Sequence, residues 1–143
     1  MKWFFTVFLA LWAAVATAQD WYEPQRGSAE RKELMNAIRP TAEQIFGAPV
    51  EFVIRDLRVS GNRAFASVIA QRPGGGSIDI VQTPGWQTGY FLPDADWTGG
   101  QALLLRSGSG WAPVELLFGA TDVWWSEPKL CTEFWAVIAD VCG

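Results

Sequence analysis

The run VEFVIRDLRVSGNRAFASVIAQ, residues 50–71, decides the fold of this chain. Apolar side chains occupy every second position from Val50 to Ile54, which predicts a strand with one buried face. The alternation then shifts phase to Leu57 and Val59, which indicates a β-bulge near residues 55–56. Ser-Gly-Asn follows as a turn, and RAFASVIAQ predicts the return strand. These residues therefore predict an antiparallel hairpin.

A helix is predicted immediately before this hairpin, over residues 28–46. Ser28 is a preferred N-cap, and Glu30 and Glu33 lie where the helix dipole favours anions. Pro40 interrupts the pattern, so it either kinks one helix or divides it into two. Apolar residues recur at helical spacing at Leu34, Ala37, Ile38, Ile45 and Phe46.

A second hairpin is predicted at residues 101–119, turning at Gly108-Ser109-Gly110. We expect a short strand at 78–82, while residues 83–100 show no sustained period and are either functional or hold an unrecognised strand. The inward residues of the second hairpin are expected to be Leu103, Leu105, Val114, Leu116 and Phe118. The fold class predicted is α+β: an N-terminal amphipathic helix on a curved antiparallel sheet of four to five strands, with a disulfide-closed C-terminal tail.

Residues 1–18 have the pattern of a secretory signal peptide. Lys2 precedes an apolar run, and Ala16-Thr17-Ala18 provides a small-x-small cleavage site. The apolar run is shorter than the roughly 20 residues of a membrane-spanning helix, so we expect no permanent membrane anchor. Residues 19–143 are then a single exported domain, periplasmic or secreted.

The two cysteines, Cys131 and Cys142, are expected to form a disulfide. An exported chain reaches an oxidising compartment, and the pair lacks the Cys-x-x-Cys spacing of redox catalysts. A structural bond that closes the C-terminal tail is the favoured interpretation.

Three runs of the chain resemble a set of small exported bacterial proteins. They are RKELMNAIRP (31–40), PVEFVIRDLRVSGNRAFASVIAQRPGG (49–75) and VELLFGATDVWW (114–125). The helix-plus-curved-sheet plan of that set is similar to cystatin-like and NTF2-like folds. The resemblance covers roughly residues 30–125 and departs from the pattern at Arg63, where an aromatic residue often precedes the Ala-Phe pair. It implies a shape and an exported location, but no activity and no catalytic residue.

Composition excludes several functions. The chain has 15 acidic and 11 basic residues; without Lys2 the basic count is 10 and the net charge is −5, which disfavours nucleic acid as a partner. There is no histidine, so His-dependent triads and His-ligated zinc are excluded.

Asp94 and Asp96 could chelate a cation, and Asp122 could act as a base, but turn carboxylates are the favoured interpretation for all three. We expect no catalytic residue, no metal and no cofactor.

Aromatic residues are the remaining candidates. Seven of the nine tryptophans follow residue 18, more than the packing of so small a domain requires. Neighbours in a strand face opposite ways, so one of Trp124 and Trp125 is expected to seal the core and the other to be available. The residues expected to bind a partner are Trp86, Tyr90, Trp97, Trp124 and Trp125.

The sequence therefore favours a non-catalytic binding protein that contacts an exported protein or a cell-wall glycan. The alternative is a small-molecule carrier or carboxylate-dependent enzyme with an apolar pocket between helix and sheet. A homodimer formed through the tryptophans is a further possibility.

Overall fold

The computed structural model describes residues 20–143, so the predicted signal peptide lies outside the described residues. The α+β class is confirmed. Helix α1 (Ala29–Phe46) precedes four antiparallel strands in the order β1-β2-β3-β4, with α2 (Pro84–Gln87) between the second and third strands and α3 (Pro128–Ile138) after the fourth. The strands are β1 (Glu51–Ser60), β2 (Arg63–Gln71), β3 (Gly99–Ser107) and β4 (Gly110–Phe118).

The prediction that the helix is N-terminal needs correction, because residues 20–28 precede α1 and one of them joins the sheet. Tyr22 pairs with Val59 at the edge of β1 through two backbone hydrogen bonds of 2.9 Å. An edge strand leaves backbone groups unpaired, and this segment satisfies two of them.

Helix α1 continues through Pro40 as one element. The Ser28 hydroxyl oxygen accepts a hydrogen bond from the Arg31 amide at 3.2 Å, as expected of an N-cap. At the other end, Arg72 Nη2 donates to the Phe46 carbonyl at 2.8 Å. Pro40 is exposed, so water can hydrate the carbonyl that its missing N–H leaves unpaired.

The bulge predicted in the first hairpin is confirmed. The pairing of β1 with β2 shifts between Ile54 and Asp56, which leaves Arg55 without a partner. After this shift Leu57 and Val59 are buried. The extra residue is what turns both of them toward α1.

Helices cover both faces of the sheet, whereas the sequence analysis predicted a helix on one face only. On the α1 side the core contains Ala64, Ala66 and Val68 of β2. On the other side, Phe65 and Leu103 pack against α3 in a separate core with Phe134, Val137 and Ile138. Leu103 and Leu105 therefore face away from α1, while Leu116 and Phe118 face it.

The expected core position of Val114 is wrong. The pairing of β3 with β4 shifts between Leu103, opposite Glu115, and Leu104, opposite Pro113. Val114 is the extra residue of this second bulge and is exposed on the edge strand.

Arg58 of β1 fastens α3 to the sheet. Its guanidinium lies 5.0 Å from the Trp21 ring centroid and 5.5 Å from that of Phe65. It donates to the Val137 carbonyl at 3.0 Å and to Asp140 Oδ1 at 2.6 Å. The hydrogen bond with Asp140 raises the pKa of Arg58, and the same bond lowers the pKa of Asp140.

The predicted disulfide is confirmed, since Cys131 of α3 is bonded to Cys142. It ties the last residues of the chain to the helix that covers the second core. No helix within residues 20–143 has the length and apolarity required to cross a bilayer.

Candidate functional site

The loop that carries the central tryptophans is built on a buried threonine. Residues 80–82 form a single 3-10 turn, so the strand expected at 78–82 is wrong. Thr83 Oγ1 donates to the Ile80 carbonyl at 2.6 Å and accepts from the Trp86 amide at 3.2 Å. Thr83 is thus the N-cap of α2, and Pro84 occupies the first helical position, where no N–H is needed. The Thr83 hydrogen bonds and Pro84 together set the position of Trp86.

Gly85 lets this short helix lie directly on α1. A Cβ at Gly85 would be 2.8 Å from Phe91 Cε2 and 2.9 Å from the Ile45 carbonyl oxygen. Both distances are below normal contact, and one neighbour is backbone that cannot move away cheaply. A larger residue at position 85 would push α2, and Trp86 with it, away from α1.

Trp86 and Trp97, which the sequence placed among the binding residues, come together. Their ring centroids are 6.0 Å apart in an edge-to-face arrangement. Trp97 is half-buried and its Nε1 donates to the Leu92 carbonyl at 3.0 Å, whereas the Trp86 side chain is 43% exposed. The fixed ring of Trp97 therefore supports the exposed ring of Trp86.

Tyr90 joins this group to the end of β4. Its hydroxyl oxygen accepts a hydrogen bond from the Phe118 amide at 3.1 Å, and its ring packs edge-to-face on Phe91 at 5.1 Å. Leu92 stands 68% exposed beside it. We call Trp86, Tyr90, Leu92 and Trp97 the aromatic loop surface.

An open cleft of about 260 Å³ lies between this loop and the end of β4. We call it the edge cleft. Most of its lining is apolar, and its polar groups are Tyr90, Thr121 and Asp122. The lining residues are Tyr90, Phe91, Leu92, Leu117, Phe118, Gly119, Ala120, Thr121 and Asp122.

Trp124 and Trp125, the other predicted binding residues, belong to a different part of the molecule. They lie on a 3-10 turn (Trp124–Ser126) and both pack against the second core. Their ring centroids are 5.6 Å apart, and Trp125 lies 5.5 Å from Phe65. The expectation that one ring is buried and the other free is wrong: both are half-buried, because the backbone is not extended there.

Leu92 and Trp135 are exposed, and the sequence analysis selected neither. Leu92 is the apolar residue before Pro93, and no periodicity marks its direction. Trp135 is 52% exposed and lines a groove of about 590 Å³ beside the disulfide. Its exposure was readable, because buried Cys131, Phe134 and Ile138 recur at helical spacing and leave Trp135 on the outer face.

The carboxylates weighed as candidates are dispersed. Asp94, Asp96 and Asp122 are all exposed, and Asp122 alone of these three lines the edge cleft. Within residues 20–143, no group of three or more cysteines and carboxylates has the arrangement needed to hold a metal ion. Tyr22 lies outside the aromatic loop surface and the edge cleft. Its pKa is raised, first by burial and then by its hydrogen bond to the Glu30 carboxylate.

The aromatic loop surface and the edge cleft can thus bury an apolar or aromatic group beside a rigid pair of indoles. No protein-family model, no curated protein and no solved structure matches this chain.

Proposed function

We propose that this chain is an exported binding protein whose aromatic loop surface holds a partner protein. The observation that carries the proposal is the exposure of Trp86 and Leu92 beside the apolar edge cleft. An exposed tryptophan supported by a fixed neighbour is typical of the centre of a protein interface, where an anchor side chain enters a dry pocket, and Leu92 adds apolar area beside it.

A protein is favoured over a cell-wall glycan by the chemistry of the cleft. A sugar ring needs hydrogen-bonding groups around the aromatic face on which it stacks. The polar groups of the edge cleft are limited to Thr121, Asp122 and the Tyr90 hydroxyl, whose oxygen already accepts from the Phe118 amide and which keeps only its O–H to donate. Its other walls suit an aliphatic or aromatic side chain.

The carrier or enzyme alternative receives less support. It needs an apolar pocket between α1 and the sheet, and that space is occupied by Leu34, Ile38 and Phe46, which are almost fully buried. A filled core leaves the protein surface as the place for recognition.

Export and the cystatin-like or NTF2-like plan are parts of the same proposal. The disulfide supports an oxidising compartment, because such bonds persist mainly outside the cytosol. A helix followed by a four-strand meander supports the plan, and α3 would be an addition to it on the second face.

The test compares Trp86→Ala with Trp135→Ala. Trp135 is the matched control because it is a similarly exposed indole outside the aromatic loop surface. The immobilised chain is exposed to envelope extract and, separately, to purified peptidoglycan. We expect Trp86→Ala to weaken binding of an envelope protein by about tenfold or more, and Trp135→Ala by less than about twofold.

Other outcomes lead elsewhere. The proposal is overturned if the wild type, Trp86→Ala and Trp135→Ala bind the envelope protein equally. It is also overturned if only Trp135→Ala loses this binding. Retention of peptidoglycan that depends on Trp86 would assign the surface to a glycan. Sedimentation of the chain alone completes the test, because a dimer that disappears in Trp86→Ala would place a second copy on this surface.

A further inference from the structure

A second cleft, of about 600 Å³, lies between α1 and the β3–β4 turn. Glu33 and Asn36 form its helix wall, and Arg106 and Trp111 lie on its hairpin wall. We call it the hairpin cleft. It sits at the opposite end of β4 from the edge cleft, because Gly110 begins the strand and Phe118 ends it. The hairpin cleft is therefore independent of the surface proposed above.

Trp111 lines this cleft, and its indole N–H has an unmet hydrogen bond. Trp111 is 8% exposed, and its Nε1 is buried with no acceptor among residues 20–143. Burying an N–H donor without an acceptor costs folding free energy, so such donors are rare and need an explanation. An acceptor brought by a ligand would explain this one.

Arg106 makes no side-chain hydrogen bond within residues 20–143, and its ion pair there, with Glu30, is long. Its guanidinium lies 5.3 Å from the centroid of the Trp111 ring, and its side chain is 47% exposed. Its nearest carboxylate oxygen, on Glu30, is 3.8 Å away, which is too long for a hydrogen bond. Glu30 is engaged by the Tyr22 hydroxyl, which donates to it at 2.9 Å.

Glu33 provides the opposite charge on the facing wall. It lies on the exposed side of α1 and makes no salt bridge within residues 20–143. A ligand with a single charge would satisfy one wall and meet a like charge on the other. A ligand carrying both charges would satisfy the two walls together.

We infer that the hairpin cleft binds a small zwitterion, a free α-amino acid or a short peptide. Its carboxylate is held by Arg106 with the Trp111 Nε1–H as second donor, and its ammonium group pairs with Glu33. Trp111 Nε1 has almost no accessible surface without ligand, so this contact requires the side chains around it, Arg106 among them, to move aside on binding. Asn36 provides an amide for either end of the ligand.

A neutral sugar fits this cleft poorly. Sugar recognition uses an open aromatic face, whereas Trp111 is buried and Arg106 lies over its ring. The charge of Glu33 would also remain unpaired against a sugar.

The experiment follows the indole N–H resonance of Trp111 by NMR while free L-amino acids of each side-chain class, and dialanine, are titrated into the chain. Propionate, isopropylamine and glucose are the matched single-charge and neutral probes. We expect a saturable shift with at least one zwitterion, and binding at least about tenfold weaker for each matched probe.

Charge variants complete the test. Glu33→Gln and Arg106→Gln should each weaken binding of that zwitterion by about tenfold or more, whereas Glu115→Gln, an exposed carboxylate outside the cleft, should leave it unchanged. Both sites are on the surface, so the variants are expected to fold; circular dichroism and sedimentation verify this.

The inference is overturned if no zwitterion shifts the resonance, if isopropylamine or propionate binds as well as the zwitterion, or if Glu33→Gln has no effect. Trp86→Ala should not alter this titration, so failure here is distinguishable from failure of the proposed partner binding.

Discussion

Arg58 and Asp140 are 82 positions apart in the chain and are joined by a hydrogen bond of 2.6 Å, between Nη1 and Oδ1. Arg58 comes from the edge strand β1, and Asp140 from the turn that follows α3. This pair, together with the bond from Arg58 to the Val137 carbonyl, connects the C-terminal helix to the sheet. The second core depends on this connection.

Arg58→Ala is expected to lower the free energy of unfolding by about 2 kcal/mol. The substitution removes hydrogen bonds to Val137 and Asp140 and empties the space between the rings of Trp21 and Phe65. Urea denaturation measures the change. Arg55→Ala is the matched control: Arg55 is exposed on the same strand, and its loss should change stability by less than about 0.5 kcal/mol. Equal effects of the two substitutions would contradict the role given to Arg58.

The stabilising effect of Asp140 is expected to depend on pH. Its folded-state pKa is lowered from the usual 3.8 by the hydrogen bond with Arg58. A lowered carboxyl pKa contributes stability above the unfolded-state value, and that contribution is lost as pH falls through the folded-state value. The wild type should therefore exceed Asp140→Asn in stability at neutral pH, and the difference should shrink progressively as pH falls below 3.8. Thermal melts of both chains across this range measure it; a constant difference would argue against the ion pair.

Replacing both Cys131 and Cys142 with serine is expected to cost about 3 kcal/mol of stability, since the disulfide closes a loop whose ends are 11 positions apart. Reduced wild-type chain should unfold at the same urea concentration as the double variant. If the reduced chain and the double variant both unfold where the oxidised wild type does, the disulfide contributes nothing to the fold.

Gly85→Ala is expected to destabilise the chain by about 1–3 kcal/mol and to weaken partner binding through the displacement of Trp86. The added methyl would overlap Phe91 and the Ile45 carbonyl. Gly108→Ala is the control, because a Cβ there meets nothing within 4 Å. Unfolding and binding are measured on the same preparations, and a harmless Gly85→Ala would remove the packing argument for α2.

Some features of the sheet could be predicted from the sequence and others could not. The bulge at Arg55 was readable because the alternation of apolar residues breaks there, and a shift of one position exchanges the two faces of a strand. The coverage of both faces was missed, although RAFASVIAQ and QALLL are nearly continuous apolar runs, which is the pattern of strands buried on both sides. The sequence analysis assigned only one buried face to these strands, so the second core was not predicted.

The candidate site was predictable in its residue types and less so in its geometry. Trp86 and Trp97 were selected because aromatics in a Gly- and Pro-containing loop tend to be exposed. The cleft beside them depends on the Tyr90 hydroxyl reaching the Phe118 amide, 28 positions away. Contacts at that separation are set by the assembled sheet and leave no local pattern.

Each border of the sheet carries features that work against addition of another strand. On β4, Pro113 lacks an N–H, Val114 is a bulge residue, and Tyr90 occupies the amide of Phe118. On β1, Tyr22 covers Val59, and Glu51 and Arg55 place charges along the rest. Amyloid growth requires long, flat, unguarded strand edges. Concentrated solutions of the folded chain are therefore expected to remain free of fibrils, even though seven tryptophans follow residue 18.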